Sequence, residues 1–257
     1  MRILVTGAGG FIGSHLCPAL AAAGHELRTA PEGCDAVVHL ANIAHTSASP
    51  AELHRVNVEG TIAQAKSALA AGARRFVYLS SLKAARPEDA YGRAKSIAEQ
   101  ALLQLPGLEA VVLRPPLVYG PRVKANFLAL LRAIDGGWPL PLASIGNRRS
   151  LIYVGNLVDA IRRCLDGPAQ GRTYAVSDGA PVSTPELCRA IARALGKRAR
   201  LFPFPGALLR LAPSVARLAE SQVADDAAIR AELGWRAPFS FDEGLRETAA
   251  WYRARGG

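Results

Sequence analysis

The chain has 257 residues, half of them hydrophobic and a fifth charged, so it can bury a substantial core as one large or two unequal domains. No run of about 18 apolar residues predicts a membrane span. The net charge is +10, but no long basic tail and no aromatic-interleaved basic stripe accompanies it, so the excess favours small anionic ligands and argues against a nucleic-acid partner.

Strands and helices alternate from the N-terminus, which predicts a doubly wound, mainly parallel α/β sheet. The predicted strands are Ile3–Thr6, Ala36–Leu40, Arg75–Leu79, Ala110–Leu113 and Thr173–Val176. The predicted helices between them are Phe11–Ala23, Pro50–Ala71 and Tyr91–Leu105.

Beyond Pro115-Pro116 the pattern loosens into proline-rich turns and helices such as Asn126–Asp135 and Thr184–Leu195. We expect a smaller substrate-binding lobe there, over the carboxyl ends of the strands, where ligands of such sheets bind. The predicted division gives residues 1–116 and 150–178 to a dinucleotide-binding domain, and residues 117–149 and 179–257 to the lobe. The apolar and basic stretch Leu201–Ala219 is predicted to pack in this lobe, with contact to a membrane surface as the alternative.

The termini and the thiols predict a cytoplasmic protein. The N-terminus enters a strand directly, without the basic and apolar regions of a secretory signal. The four cysteines are scattered without a CxxC pair, and the five histidines have no ligand spacing with cysteines or carboxylates. We therefore expect reduced thiols and no metal site.

A glycine-rich turn follows the first strand. Gly7, Gly10 and Gly13 have the spacing that gives a tight turn, a close backbone approach to a pyrophosphate, and close packing of helix on strand. The N-terminus of the next helix then offers free N–H groups to the phosphates. Because the motif lies directly between a strand and a helix, it predicts dinucleotide binding.

Tyr91 and Lys95 lie four residues apart, one turn along one helix face. An ammonium group beside a phenol favours the phenolate, so we expect Lys95 to lower the pKa of Tyr91 toward the range useful for proton transfer. Ser80-Ser81 ends the preceding strand, where a hydroxyl can hydrogen-bond a substrate oxygen. Tyr-x-x-x-Lys alone is common by chance, but its place ten residues after Ser80-Ser81 and behind a glycine turn makes the signal specific.

These motifs resemble the extended short-chain dehydrogenases/reductases, the NAD-dependent epimerase, dehydratase and reductase family that acts on nucleotide sugars. The resemblance covers nearly the whole chain and is carried by GAGGFIG (7–13), DAVVHLAN (35–42), NVEGT (57–61), RRFVYLSSLK (74–83), YGRAK (91–95), LRPPLVYGP (113–121), NRRSLIYVGNLVDA (147–160) and ELGW (232–235).

The resemblance implies a catalytic set of Ser81, Tyr91 and Lys95. Tyr91 would exchange a proton with a sugar hydroxyl or ketone, Lys95 would hold the nicotinamide ribose, and Ser81 would polarise the sugar oxygen. It also implies that NAD, with NADP as the alternative, contacts Gly7, Gly10, Phe11, Ile12, Gly13, Leu40, Ala41, Asn57, Tyr91, Lys95, Arg114 and Pro115.

On the substrate side, the resemblance implies that Asn126 and Arg149, with Ser81, contact the nucleotide-diphosphate sugar. Simpler roles stay open for two of these residues: Asn57 as a brace between helix and strand, and Arg149 as a solvated surface arginine.

Departures from the family pattern narrow the reaction. The 4,6-dehydratase branch carries Asp-Glu directly after the catalytic Ser or Thr, whereas this chain has Leu82-Lys83. We therefore expect redox chemistry at sugar C4 without dehydration, in an epimerase of the UDP-hexose or UDP-N-acetylhexosamine type. A 4-keto reductase or dehydrogenase is the first alternative, and a binding or regulatory module with impaired cofactor binding is the second.

One part of the family pattern is missing. Where an acid normally grips the adenosine ribose, this chain has Pro31, and only Ala30–Cys34 separate the second strand from Asp35 and the next one. Two full-height parallel strands on either side of the first strand would need a diagonal of about 20 Å, near the full reach of such a connection. We predict that an edge strand and its helix are absent, that residues 25–34 form a shortened strand or loop, and that the exposed edge permits a homodimer.

Overall fold

The computed structural model describes residues 1–43, 48–205 and 218–256. These residues form two compact units. The first consists of Met1–Pro115, Leu157–Val176 and Asp225–Arg236, and the second of Pro116–Asn156, Ser177–Ala224 and Ala237–Gly257. Residues 206–217 of the stretch Leu201–Ala219 lie outside the described residues, so its predicted packing stays a prediction.

A six-stranded parallel sheet forms the centre of the first unit, which confirms the predicted fold class. The strand order is β2-β1-β3-β4-β5-β8, the order of a doubly wound sheet. The strands are β1 (Arg2–Thr6), β2 (Glu26–Arg28), β3 (Ala36–His39), β4 (Arg75–Leu79), β5 (Glu109–Arg114) and β8 (Arg172–Ala175).

The three predicted helices at 11–23, 50–71 and 91–105 fall close to helical segments of the first unit, because their glycine and proline stops are strong local signals. The helical elements are α1 (Gly13–Ala22), α2 (Pro50–His54), a π-helical turn (Arg55–Glu59), α3 (Gly60–Ala70), a 3₁₀ turn (Leu82–Ala85), α4 (Ala90–Leu103) and α8 (Ala227–Leu233). Helix α6 (Val154–Asp166) contributes its residues from Leu157 onward. Small residues of α3 and α4 pack on the apolar face made by β1, β3, β4 and β5.

The sheet edge at β2 confirms the predicted truncation. Strand β2 has three residues, all exposed, and it forms the edge of the sheet within the described chain. Arg28 lies level with Leu4 of β1, and Ala36 of β3 lies level with Ile3. Residues 29–35 therefore cover almost no distance along the strand direction. They need only cross β1, about 10 Å sideways. The short strand resolves the reach problem that two full-height strands would pose.

The second unit contains a separate two-stranded parallel sheet of β6 (Leu117–Tyr119) and β7 (Leu151–Tyr153). Its helices are α5 (Ala125–Asp135), α7 (Thr184–Leu195) and α9 (Phe241–Ala254), together with the first residues of α6. Both α7 and α9 begin with a capping box, in which a serine and a glutamate satisfy the first backbone N–H groups reciprocally.

Residues 1–43, 48–205 and 218–256 contain neither a membrane-spanning helix nor a cluster of potential metal ligands. No helix there is long and apolar enough to cross a bilayer. The same residues bring together no group of three or more potential metal ligands from His, Cys, Asp and Glu.

Candidate active site

The glycine turn between β1 and α1 is packed too tightly for side chains. A Cβ at Gly7 would lie 2.9 Å from the backbone nitrogen of Ala41, and Gly7 has a φ of +73°. A Cβ at Gly13 would lie 2.5 Å from the carbonyl oxygens of both Gly7 and Ala8. The amide of Gly10 closes the turn on the Gly7 carbonyl at 2.9 Å. The amides of Ser14 and His15 in α1 are bonded to the carbonyls of Gly10 and Ile12, so the N–H groups for an anion come from the residues that precede them, Phe11 to Gly13.

A buried hydrogen-bonded chain ties this turn to the following helices through His39. The His39 ring is 5% exposed, with Nδ1 2.8 Å from the Thr6 hydroxyl and Nε2 3.1 Å from the Thr61 hydroxyl. Thr61 donates to the carbonyl of Asn57, so its oxygen accepts from Nε2–H, while Thr6 accepts from the amide of Ala41 and donates to Nδ1. These contacts fit a neutral imidazole that carries its proton on Nε2. Burial, followed by the charge of Lys95, lowers the pKa of His39 to about 4.

Asn57 holds the chain just after β3, and its side chain is fully buried. Its Oδ1 accepts from the Ile43 amide at 2.8 Å, and its Nδ2 donates to the Ile43 carbonyl at 2.9 Å. Asn57 lies in the π-helical turn, a local widening of the helix that is frequent at functional sites. The observed contacts are those of a brace, which fixes the segment that contains Leu40 and Ala41.

Ser81 lies where β4 ends. The Ser80 amide still bonds the Leu113 carbonyl, and the Leu82 amide bonds the carbonyl of Pro115. The Ser81 oxygen accepts the amide of Lys83 at 3.3 Å and caps the 3₁₀ turn. Ser81 is therefore a fixed, half-buried hydroxyl at the carboxyl edge of the sheet.

Helix α4 places Tyr91 and Lys95 beside that edge. The helix is capped by Asp89, whose side chain accepts the Gly92 amide at 2.7 Å, and Gly92 packs so closely on the Lys83 carbonyl that a Cβ would lie 2.7 Å from it. Lys95 is 1% exposed, and its Nζ donates to the Leu79 carbonyl at 2.8 Å. The structure thus brings Ser81, Tyr91 and Lys95 to one end of one sheet.

The electrostatics of this pair correct the expected pKa of Tyr91. Burial, reinforced by Asp89, raises the pKa of Tyr91 to about 12. Lys95 does not lower it, because its Nζ is bound to the Leu79 carbonyl and lies 6.0 Å from the centroid of the Tyr91 ring. Burial also lowers the pKa of Lys95 to about 7, partly offset by Glu99. Tyr91 is therefore a protonated phenol at neutral pH.

The residues around this edge fit the pyrophosphate and the nicotinamide end of a nicotinamide dinucleotide, but not its adenosine half. The glycine turn leaves backbone-lined space where a pyrophosphate would approach. Two buried oxygens nearby, Oδ1 of Asn42 and Oγ of Ser80, have no hydrogen-bond partner within the described chain. Such orphaned groups are expected where a polar ligand completes the site.

Of the remaining residues implied for the cofactor, Leu40 and Pro115 are buried, whereas Arg114 is already bound to a carboxylate. Leu40 is buried at the end of β3, with its amide bonded to the Thr6 carbonyl, and Pro115 is buried beside Leu82. The Arg114 guanidinium binds the carboxylate of Glu99 through Nε and Nη2. A direct role of Arg114 toward a cofactor stays a prediction.

Asn126 and Arg149, implied for the substrate, both belong to the second unit. Asn126 is exposed in the first turn of α5, after Arg122 and Ala125, whose φ angles of +70° and +51° are strained for residues with a side chain. Arg149 pairs through its backbone with Val182, and burial lowers the pKa of its side chain. Their predicted contact with a substrate stays a prediction.

Sequence reasoning missed the buried groups that support the site. The sequence singles out His39 only as one of five histidines without ligand spacing, although it is a lone titratable group at the end of an apolar strand. Thr61 follows Asn57 by one helical turn, and Glu99 follows Lys95 by one turn. In each case the spacing was visible, but the strand partner that completes the contact was not.

The parallel sheet, glycine turn and serine–tyrosine–lysine arrangement define a dinucleotide-dependent enzyme of the short-chain dehydrogenase type. Comparison with known proteins refines this class. The model of the NAD dependent epimerase/dehydratase family matches residues 3–33 and 28–177. The chain is 39% identical to a UDP-glucose 4-epimerase of Vibrio cholerae, covering 83% of this chain and 75% of that protein.

Two further relatives illustrate the range of the family. A dTDP-glucose 4,6-dehydratase of Streptomyces niveus is 28% identical over 98% of this chain and 93% of its own length. The structure of the Thermus thermophilus UDP-glucose 4-epimerase in complex with NAD superposes with a TM-score of 0.80 at 25% identity, covering 98% of this chain and 99% of the other. This chain belongs to the NAD dependent epimerase/dehydratase family. The family model matches it in two pieces that meet at residues 28–33, where β2 ends.

Proposed function

We propose that this protein is an NAD-dependent epimerase that acts at C4 of a UDP-hexose or UDP-N-acetylhexosamine. The observation that carries the proposal is the convergence of Ser81, Tyr91 and Lys95 at the carboxyl edge of the sheet, behind an intact glycine turn. The relationship to a UDP-glucose 4-epimerase at 39% identity supports the choice of substrate and reaction.

A bound oxidised nicotinamide would accept a hydride from the sugar carbon and return it to the opposite face. Tyr91 would take the hydroxyl proton as that hydride leaves, and return the proton when the hydride comes back. Burial raises the pKa of Tyr91 to about 12, so the phenol is ready to donate a proton, and it acts as a base only after it has lost that proton. Ser81 would hold the sugar oxygen, and Lys95 would hold the cofactor ribose.

Dehydration is not part of the proposed reaction, although a dehydratase is among the relatives. The two positions after Ser81 carry a buried leucine and a lysine that forms an ion pair with Asp89. Neither side chain offers a carboxyl proton to a departing hydroxyl. We therefore propose that the 4-keto intermediate returns directly to an alcohol.

The cofactor's adenosine half would be held weakly. At the shortened edge the side chains of Glu26 and Arg28 pair with each other, and Asp35 pairs with Arg2. Glu26 and Asp35 are therefore both engaged by arginines rather than free to bind both ribose hydroxyls, and Arg28 is already shared with a carboxylate. We propose that binding rests on the pyrophosphate turn and the nicotinamide end, with little discrimination between NAD and NADP. The same exposed edge is short and charged, which disfavours a sheet-completing homodimer.

The test is interconversion of UDP-glucose and UDP-galactose, and of their N-acetylated forms, by the purified chain with NAD. Tyr91→Phe should lower the rate by about 10²-fold to 10⁴-fold, the usual contribution of a proton-transfer group. Tyr174→Phe is the matched control, because the Tyr174 hydroxyl bonds Glu232 rather than a residue of the proposed site, and it should leave the rate unchanged.

The outcomes separate the alternatives. Near-normal epimerisation by Tyr91→Phe would contradict the assigned role of Tyr91. NADH-dependent reduction of a 4-keto sugar without epimerisation would identify the reductase alternative. Absence of binding of NADH and NADPH at millimolar concentration would indicate a binding module and overturn the enzyme proposal.

A further inference from the structure

A buried ion pair links α4 to β5 directly behind Lys95. Glu99 of α4 has a side chain only 2% exposed, and the Arg114 guanidinium holds its carboxylate, with Nε 3.0 Å from Oε1 and 3.1 Å from Oε2. A buried carboxylate is costly unless it is paired and hydrogen-bonded, and breaking such a pair is more costly still. The proposed reaction gives this pair no role, although it occupies the core next to the site.

The position of Glu99 relates it to the proposed catalytic pair. Tyr91, Lys95 and Glu99 follow one another at four-residue intervals, so they lie along one face of α4. Lys95 is buried, and its ammonium donates to the Leu79 carbonyl and lies over two aromatic rings, 4.6 Å from the centroid of Tyr78 and 6.0 Å from that of Tyr91.

The other titratable groups facing Lys95 do not stabilise a positive charge at neutral pH. They are His39 from β3, whose pKa burial lowers to about 4, Tyr78 from β4, whose pKa burial raises well above its usual range, and Tyr91 from α4. Within the described chain, Glu99 is thus the carboxylate whose attraction favours the ammonium form of Lys95.

We propose that Glu99 is a positioning residue for Lys95: held in place by Arg114, it keeps the buried lysine charged and bound to the Leu79 carbonyl. Arg114 then acts through Glu99. The balance is sensitive, because burial leaves the pKa of Lys95 at about 7. Each further unit of lowering would reduce the ratio of charged to neutral lysine about tenfold at a fixed neutral pH.

The consequence for catalysis rests on the proposed function, in which the Lys95 ammonium holds the cofactor ribose. The protonation of Lys95 can be measured without cofactor or substrate. The chain contains five lysines, so labelling lysine with ¹³C at Cε and following the carbon shifts with pH gives a resolved titration for each. Lys95→Met identifies the signal of Lys95.

Glu99→Gln removes the charge at nearly constant size, whereas Glu99→Asp keeps the charge and changes the packing. We expect the pKa of Lys95 to fall by at least about one unit in Glu99→Gln, and to stay within about half a unit of the unmodified chain in Glu99→Asp. Equal values in Glu99→Gln and the unmodified chain would overturn the proposal. Equal falls in both variants would also overturn it, because they would show a packing effect rather than a charge effect.

Arg114→Gln provides a second test if Glu99→Gln does not fold. With its cation removed, the buried Glu99 carboxylate loses the partner that holds it in place and ionised, so the pKa of Lys95 should fall as in Glu99→Gln; a rise or no change would overturn the proposal. The titration decides the inference even if the protein fails to bind NADH. That failure would overturn the proposed function alone.

Discussion

Two regions of the first unit handle polar groups in opposite ways. Around β4, α4 and β5, Lys95, Glu99 and Asn57 are all nearly or fully buried, and each is bonded to a partner from another segment. At the sheet edge, all three residues of β2 are exposed, and Glu26 and Arg28 form a solvated ion pair.

This difference explains where the chain can lose a strand or a helix. Removing a strand from the edge orphans few buried groups, because the edge holds short backbone ladders and solvated side chains. Removing an element beside Lys95 would leave unpaired charges in the core, and each would cost several kcal/mol of stability. The region that carries the proposed chemistry is therefore the one that the fold cannot shorten.

The largest effect that sharpens this comparison is expected at the glycine turn. Gly13→Ala places a Cβ 2.5 Å from two backbone oxygens that cannot rotate away, so the turn must shift. We expect a loss of about 3 kcal/mol of stability and more than about tenfold in NADH affinity. Chemical denaturation and calorimetric titration measure both. Gly9→Ala is the matched control for stability, because its Cβ would meet open space; equal losses in the two variants would refute the steric account.

A smaller effect is expected when acid is applied to His39. Its pKa is lowered to about 4 in the folded protein, so the unfolded chain binds the additional proton between about pH 6.5 and pH 4. The stability contributed by the neutral ring is complete above pH 6.5 and is lost as the pH falls. We expect a loss of about 2 kcal/mol between pH 8 and pH 5 from this residue alone.

His39→Gln retains hydrogen-bonding atoms without this titration, and should flatten that part of the curve of unfolding free energy against pH. His54→Gln, at an exposed position, is the control and should keep the slope. Identical slopes in all three proteins would show that His39 does not carry the acid sensitivity.

The smallest effect is expected at the sheet edge. Glu26→Ala and Arg28→Ala remove a solvated pair from β2, so the free energy of unfolding should change by less than about 0.5 kcal/mol in each. Urea denaturation of both variants measures this. A loss above about 2 kcal/mol would mean that the edge is more tightly integrated than its exposure indicates.

Much of the first unit could be predicted from sequence because its signals are local. The glycine turn, the apolar strands and the helix stops each lie within a few residues, and the shortened β2 followed from chain length alone. The π-helical turn at Asn57, the partner of Glu99 and the pKa of Tyr91 could not be predicted in this way. Each depends on which residue of a distant strand or helix faces the group, and on how much water the packing removes.

The second unit was harder to predict for the same reason. Strands β6 and β7 have three residues each, too short for a clear alternation of polar and apolar residues. They pair across more than thirty intervening positions, and Asp178 bonds the backbone of Tyr153 and the hydroxyl of Tyr119 from a third segment. No local sequence pattern predicts that these three segments come together.

The central claim is that the protein binds a nicotinamide dinucleotide through the pyrophosphate turn and the Lys95 region, without a grip on the adenosine ribose. Parallel calorimetric titrations with NADH and NADPH test it most directly. We expect both to bind, with dissociation constants within about threefold of each other. A preference greater than about tenfold for either cofactor would contradict the claim, because it would require a residue that reads the 2′ position of that ribose.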